Sequence, residues 1–553
     1  MRTSYEIAKI FQSSINKATE EGAFIDFNCP KILIQKPKSD LHGTWSTNIA
    51  LVISKIAKKN PMEIAEVIKN NIPTNKIISE INILKPGFMN IEVSDTHRSE
   101  ILKKVIKTND KFGSNNIGKK KKVQLEFVSV NPTGPVHVGH ARGAVVGSCL
   151  ANILNFSDYD VSKEYYINDA GTQIDLFVKS ILFNIYTKFN LDFDKPKDGY
   201  KGEFIENISN EIIDEFGLDK NLKLLTEREK IYKEVKKTSL KNTISKIEKD
   251  LRDLGVEYDN WFYESSLFNG VTEKIQSILE EKSLLYEKEG AKWFKSSSFF
   301  TDQDVVIERS DGSGHTYFFT DMSYHYDKFE IRSFEKVINI FGADHHSHVD
   351  RLKSAISAMN IEVEKLNILL TQIVHFKNQD KIEKFSKRSG NIYSIRDLID
   401  IVGSDSIRFN FLNRTLDSQQ EFDLDLAVKQ SNENPVYYVQ YAYARLCSII
   451  NSADMDFENP NLGLLKSKYE KKLIDNIDFF EDVIVHSVEN LETHNITKFS
   501  LDLAKDLQIF YENCRVLSDN KELTNSRLSL VLSCKIVLSN LLNLLGVNAP
   551  ERM

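Results

Sequence analysis

Two short segments carry residues suited to handling a polyphosphate. The first, Val136-His137-Val138-Gly139-His140, follows a turn at Asn131-Pro132-Thr133-Gly134-Pro135 and leads into a helix running to about Leu154. The apolar run Val123 to Val130 ahead of it reads as a strand, so the unit is strand, turn, helix. His137 and His140 sit three apart in the first turn and can face one bound anion, where free backbone N–H groups and the helix dipole already favour phosphate. Imidazole donors there would stabilise charge on a transferring phosphoryl group. Gly139, Gly143 and Gly147 recur at four-residue spacing on one helix face, although each glycine costs ~1 kcal/mol against alanine in a helix interior. Either the helix lies unusually close to a sheet, or a flat ligand lies against its start.

The second segment, Lys384-Phe385-Ser386-Lys387-Arg388-Ser389-Gly390-Asn391, sits between a strand ending at Phe376 and a helix from about Ser394. A basic, glycine-bearing loop of this kind can fold over a triphosphate and neutralise charge as pyrophosphate departs. A solvated surface loop is the plain alternative. Tyr317 and Asp321, four apart, share a helix face, so a carboxylate there would accept a guanidinium fork while the ring walls the pocket; a surface salt bridge is the competing reading.

The elements that must position these groups fall into three regions of a multidomain α/β chain. Residues 1 to about 112 read as a small α+β domain: an amphipathic opening helix, helices around Asn48 to Ile56 and Pro61 to Asn70, and a strand over Pro86 to Val93. The polar stretch from Asn109 to Lys122, with Gly113 and Gly118, marks a boundary. Its Lys119 to Lys122 run is either a solvated face or a phosphate contact. Residues 120 to about 425 alternate apolar runs with helices, the pattern of a parallel sheet, with strands at Val123 to Val130, Lys336 to Phe341 and Asn367 to Phe376. Long charged helices such as Leu222 to Leu254 suggest an insertion over about 175 to 300. From 426 to 553 the periodicity is helical and predicts a bundle.

Composition narrows the class. With 553 residues, 41% hydrophobic and 27% charged, the chain is neither disordered, collagenous nor a coiled-coil rod. A net charge of −7 means that an anionic partner is met by local basic patches. The 5 cysteines form no Cys-x-x-Cys pair, which argues against a zinc ribbon or an exported disulfide scaffold and for a reducing cytoplasm. The N-terminal segment lacks the apolar core of a signal peptide, and Lys535, Asn540 and Asn543 interrupt the apolar run Leu528 to Leu545, so no membrane span is expected.

The first segment resembles the HIGH signature of class I aminoacyl-tRNA synthetases. The second resembles their KMSKS signature, with Phe385 in the Met position and Arg388 in place of the last Ser. The two occur in the family's order. Longer stretches resemble the arginyl-tRNA synthetase family: Glu126 to Gly143, Tyr165 to Ile174, Phe341 to His346 and Asn434 to Arg445, with a looser likeness at Asn48-Ile49-Ala50 and Pro86 to Asn90. The resemblance implies a Rossmann-type catalytic domain, an N-terminal tRNA-contacting domain and a C-terminal anticodon-binding bundle. It further implies ATP-dependent formation of arginyl-adenylate and transfer to the terminal ribose of tRNA-Arg, by a monomer.

On that reading His137, His140, Lys384 and Lys387 are catalytic. ATP is held by His137, Gly139, His140, Gly143, Asp344, His345, Lys384, Ser386 and Lys387, with Mg²⁺ on its phosphates. Glu126, Asn131, Tyr317 and Asp321 bind arginine, and lysine is rejected because a point charge leaves fork acceptors unpaired. Tyr438, Tyr441 and Arg445, one stripe of a helix, face the anticodon, where aromatic rings and an arginine suit stacking on splayed bases; by periodicity alone they would be core. Tyr443 departs from the family's usual histidine. The acid–histidine cluster Asp344, His345, His346, His348, Asp350 has no recognised ligand spacing, so no metal site and no structural zinc are expected. It follows a strand's carboxyl end, where an open α/β sheet binds its ligand. The rival from another class is a non-catalytic tRNA-binding paralogue, against which the intact signatures speak.

Overall fold

A computed structural model describes residues 2–37, 39, 42–218, 227–312, 314–378, 381–383, 394–453 and 460–553. Its centre is a five-stranded parallel sheet ordered Leu366–Thr371, Lys336–Gly342, Lys122–Phe127, Asp160–Ile167, Asn260–Tyr263. The chain starts in the middle at Lys122–Phe127, adds two strands on one side and returns to add two on the other. That places a switch point between Lys122–Phe127 and Lys336–Gly342, where the following helices diverge and a crevice opens at the strands' carboxyl ends.

The expected strands meet this sheet with two corrections. The strand expected over Val123 to Val130 stops at Phe127, because Val128 and Ser129 take left-handed φ values of 71° and 43°. A β-branched residue there is strained. The kink is held by Tyr165, whose hydroxyl donates to Val130 O at 3.0 Å and accepts from Val130 N at 3.1 Å, and by Tyr258, which donates to Phe127 O at 3.0 Å. The single strand expected over Asn367 to Phe376 is two strands in two sheets: Leu366–Thr371 at an edge of the central sheet, and Val374–Asn378 paired in parallel with Gln420–Asp423. An apolar run carries no signal for a change of partner.

The inserted region is also divided. Helices Thr172–Lys188, Glu203–Phe216 and Arg228–Asp253 build their own apolar cluster, and Asn260–Tyr263 then rejoins the central sheet as its edge. A second excursion, helix Val271–Glu281 and the antiparallel strands Leu285–Lys288, Ala291–Phe294 and Val305–Glu308, leads into helix Tyr317–Tyr326.

The glycine face of the first signature helix has a physical cause. Val138–His140 is a 3-10 turn and the α-helix is Ala141–Phe156, so Gly139 precedes it. Gly147 presses on the sheet: a methyl group there would overlap the Phe127 ring. At Gly143 the same group would lie in ordinary contact, 3.7 Å from Thr371 and 3.9 Å from Ile340.

At the N-terminus, helix Thr3–Glu20 and the sheet Trp45–Thr47, Phe88–Val93, Ile78–Leu84 form the α+β unit. It docks on helix Lys468–Asn490, where Arg98 donates to both Asp475 oxygens at 2.7 and 2.9 Å and Trp45 packs on Phe479. The boundary stretch is packed too, with Asn540 donating to Asn109 O and Phe112 O. Lys119 to Lys122 are exposed, and Lys120 pairs with Asp158. Helices Pro435–Asn451, Lys468–Asn490, His494–Asn513 and Lys521–Leu545 form the C-terminal bundle. By length and composition Lys521–Leu545 is apolar enough to cross a membrane, contrary to the reading of its polar interruptions, yet 78% of its most apolar window is buried inside the fold. It is the bundle's core helix.

Gly147→Ala is expected to lower unfolding stability by roughly 1–3 kcal/mol through overpacking against Phe127, whereas Gly143→Ala is neutral or gains up to ~1 kcal/mol of helix propensity. Denaturant titration of the two variants checks the contrast.

Candidate active site

Of the expected site residues, Glu126 lies near the carboxyl end of Lys122–Phe127, Asn131, His137 and His140 follow that strand, and Asp344 and His345 follow Lys336–Gly342. His137 follows Lys122–Phe127 and ends in an isolated bridge with Ser394, next to which Ile395 N donates to Val136 O at 2.9 Å. The first signature is thereby tied to the residue that caps helix Ile395–Val402, immediately after the second. Lys384, Ser386 and Lys387 lie outside the described residues. His137 Nδ1 accepts from Gly139 N at 3.0 Å, which orients the ring. Arg142, on the signature helix, is wholly buried and donates to Ser418 O and Thr415 O, both at 2.7 Å. Burial draws its guanidinium down to about 10.

Asn131 donates to Gln173 Oε1 at 2.5 Å. Asp344 and His345 follow Lys336–Gly342 with side chains 84% and 58% exposed, and His345 Nε2 stands 3.8 Å from Asp344 Oδ2. Both are open to a ligand. Among the described residues no group of three or more His, Cys, Asp or Glu is gathered as a metal site.

Tyr317 opens helix Tyr317–Tyr326 and is half exposed, and Asp321 lies one turn on. The sequence reading gave both carboxylate oxygens of Asp321 to a guanidinium fork. The structure gives Oδ2 to His348 Nε2, at 2.6 Å. Burial pushes the Asp321 carboxyl up, but the hydrogen bond and charge of His348, with the charge of Lys328, outweigh it and hold the group below the usual carboxylate range.

Glu126 is likewise taken. It sits inside the sheet and its Oε2 accepts from Lys328 Nζ at 2.6 Å. Lys328 has no exposed side-chain surface and lies in a π-helical turn, Asp327–Ile331, that continues the Tyr317–Tyr326 helix. Burial pushes Glu126 up and Lys328 down, each opposed by the partner's charge. From Lys328 a directed chain runs back to the Asp321 backbone. Lys328 donates to Asn339 Oδ1 at 3.1 Å, the Asn339 amide faces His325 Nε2 at 2.8 Å, and His325 Nδ1 meets Asp321 O at 2.8 Å. These partners require a neutral His325 carrying its proton on Nδ1, and burial does draw its pKa down, to about 3.

Sequence reasoning missed Lys328, Arg332, Glu164 and Glu264. Glu164 is fully buried and accepts Arg332 NH1 at 2.5 Å and NH2 at 3.0 Å, Tyr324 at 2.5 Å and Gln124 at 2.9 Å. Glu264 follows the edge strand Asn260–Tyr263. In the amide orientation that satisfies both its ends, Asn168 donates to Glu264 Oε2 at 2.6 Å. Burial, with the negative charges of Asp321 and Asp169, pushes Glu264 up to about 7 against a hydrogen bond from Thr320. The four-residue spacing of Lys328 and Arg332 was a usable signal for one inward helix face; the pairing across strands was not.

In the bundle, Tyr438, Tyr441 and Arg445 do share one face. With Gln508 and Tyr511 they line a groove of about 450 Å³. Tyr437 and Tyr441 stack with centroids 6.2 Å apart, and Arg445 lies 3.7 Å over the Tyr511 ring. Tyr443 points the other way, buried against the core helix and pushed up to about 12 by that burial and by Cys447.

Comparison with known proteins agrees along the whole length. Residues 5–93 match the arginyl tRNA synthetase N terminal domain, 101–421 the class I (R) tRNA synthetase catalytic domain, and 439–553 the DALR anticodon binding domain. The chain is 41% identical over 540 residues to arginine–tRNA ligase 1 of Halalkalibacterium halodurans, covering 96% of each chain. It is 38% identical over 567 residues to arginine–tRNA ligase of Bacillus subtilis, covering 100% of each. The fold is shared with arginyl-tRNA synthetase of Thermus thermophilus, at a TM-score of 0.75 and 20% identity over 99% of this chain and 100% of that one. That of Plasmodium falciparum gives 0.77 and 22%, over 100% and 99%. Family models spanning the chain and relatives 41% and 38% identical over nearly its whole length show that this chain belongs to the arginyl-tRNA synthetase family.

Proposed function

We infer that the chain charges tRNA with arginine at the expense of ATP. The observation that carries this reading is the Asp321 carboxylate, one turn after Tyr317 on its helix and paired at 2.6 Å with His348 from the helix that follows the strand Lys336–Gly342. In the first step the arginine carboxylate attacks the α-phosphorus of ATP in line, the bond to the β-phosphate oxygen breaks, and pyrophosphate leaves. His137 and His140 meet the phosphates at the head of the signature helix, and Lys384 and Lys387 stabilise the departing charge. Positioning and charge stabilisation supply the rate, since phosphoryl transfer needs little covalent help. Mg²⁺ arrives as the counter-ion of ATP's phosphates. In the second step a terminal ribose hydroxyl of the tRNA, the 2′ position, attacks the arginyl carbonyl and AMP leaves.

The guanidinium is received by Asp321 Oδ1, to which no hydrogen bond is made among the described residues, and Tyr317 walls the pocket. Glu126, neutralised by Lys328, sets the electrostatics of the floor. Asn131 holds the α-amino or carboxylate end, and Asp344 and His345 contact the nucleotide. The groove of Tyr438, Tyr441 and Arg445 receives anticodon bases by stacking. The protein works as a cytoplasmic monomer, and tRNA binding precedes arginine activation.

Charging total tRNA with each labelled amino acid in turn tests the reaction and its specificity together: arginine alone should be attached. Pyrophosphate exchange with and without tRNA then tests the order of binding. Lys387→Ala is expected to lower turnover at least ~100-fold with tRNA affinity unchanged, and an equal loss of both would remove its assigned role. Asp321→Ala should raise the KM for arginine by more than tenfold, as expected for roughly 1.5–3 kcal/mol of charge-assisted hydrogen bonding. A cationic substrate favours ionised Glu264, so arginine binding draws off its proton. The KM for arginine should therefore fall as pH rises through about 7 and lose that dependence in Glu264→Gln; persistence in the variant would place the titrating group elsewhere.

A further inference from the structure

We propose that His348 is a positioning residue for arginine recognition: it fixes the plane of the Asp321 carboxylate and so determines which edge meets the substrate. The proposal rests on the reading of Asp321 as the guanidinium acceptor. His348 stands in the first turn of helix His346–Ala358, behind the strand Lys336–Gly342, and reaches across to helix Tyr317–Tyr326, where its Nε2 lies 2.6 Å from Asp321 Oδ2. The ring cannot easily turn away. It meets Phe318 edge-on, with centroids 6.1 Å apart at 89°, and Phe341 at 6.3 Å. Its side chain is 18% exposed against 32% for Asp321, so the imidazole forms the protected side of the pair and the carboxylate the open one.

A carboxylate on an aspartate has two soft torsions and, unsupported, turns to suit any cation. Two groups remove that freedom here. His325 Nδ1 holds the Asp321 main-chain carbonyl at 2.8 Å, fixing the backbone from below, and His348 holds one side-chain oxygen. Oδ1 is then presented in a set plane. A planar guanidinium donates within its own plane and meets such an oxygen well, whereas an ammonium gains nothing from the constraint. The recognition of arginine in preference to lysine thus depends on a side chain that does not itself touch the substrate.

Two substitutions separate the hydrogen bond from the packing. His348→Phe keeps a ring between Phe318 and Phe341 and removes the donor; His348→Gln keeps an N–H donor at similar reach. Arginine-dependent pyrophosphate exchange is measured with tRNA present. His348→Phe is expected to raise the KM for arginine roughly tenfold while the KM for ATP stays within about twofold, and to raise lysine activation relative to arginine. His348→Gln should restore the KM for arginine to within about threefold of the parent. An unchanged KM in His348→Phe, or an equal rise in the KM for arginine and for ATP in both variants, overturns the proposal. Asp321→Asn is the companion control. If it raises the KM for arginine while His348→Phe does not, only the role of His348 fails; if neither raises it, Asp321 is not the acceptor and the underlying reading fails with it.

Discussion

A wholly buried lysine ammonium beneath the proposed substrate site constrains much of what surrounds it. Removing a charge from water is expensive, and it persists only when paired and hydrogen-bonded. Lys328 meets that demand with Glu126 from the central strand, Asn339 from its neighbour and the Tyr324 ring at 4.0 Å. Each partner is then committed in its turn. Asn339 has its oxygen on Lys328 and its nitrogen on His325, His325 has its proton on the Asp321 carbonyl, and Asp321 is left in one backbone position with one oxygen on His348. Beside this chain, Glu164 absorbs Arg332 and Tyr324. Breaking a buried pair leaves an uncompensated charge, so the floor behaves as a unit. Asp321, the proposed acceptor for the substrate cation, is the terminal member of that unit.

Buried guanidinium groups do the corresponding work between regions of the chain. Arg142 ties the signature helix to the main-chain oxygens of Thr415 and Ser418. Arg408 donates to Leu545 O at the end of the last helix, to Leu254 O and Gly255 O after the insertion helix, and to Ser148 on the signature helix. Arg98 grips Asp475 from the N-terminal unit. In each case a rigid fork satisfies carbonyl or carboxylate oxygens that helix ends and close approaches would leave bare. The groove lined by Tyr438, Tyr441 and Arg445 and the strand-end crevice are joined through such contacts as well as through a continuous apolar core.

Much of the fold was legible in local pattern. Helices Pro61–Asn70 and Ala141–Phe156 and the strand Lys336–Gly342 fall close to where periodicity puts them, because amphipathic spacing reflects one buried face. That Tyr438, Tyr441 and Arg445 share one helix face was legible in their spacing, although periodicity alone read that face as core and the structure leaves it lining a groove. The glycine at 147 was legible too, since its cost in a helix needs a compensating approach such as that of Phe127. The failures occur where an apolar run changes partner without changing character. Val128 and Ser129 leave the strand through left-handed backbone, and Leu366–Thr371 and Val374–Asn378 divide between sheets. Nothing in residue type marks either event.

The sequence by itself determined the chemistry available: paired histidines at a helix start, a basic loop, a tyrosine and a carboxylate at helical spacing, and the order in which they occur. These are local properties, set by residue type and by the pitch of a helix. Only the tertiary structure decided which carboxylates remain available to a substrate. Glu126 and Asp321 are both carboxylates, one on a central strand and one on a helix, yet one is neutralised by a lysine 202 positions away and the other is oriented by a histidine 27 positions away. Charge pairing in a low-dielectric interior depends on distances of a few ångströms, and those distances exist only after the sheet has brought remote segments together.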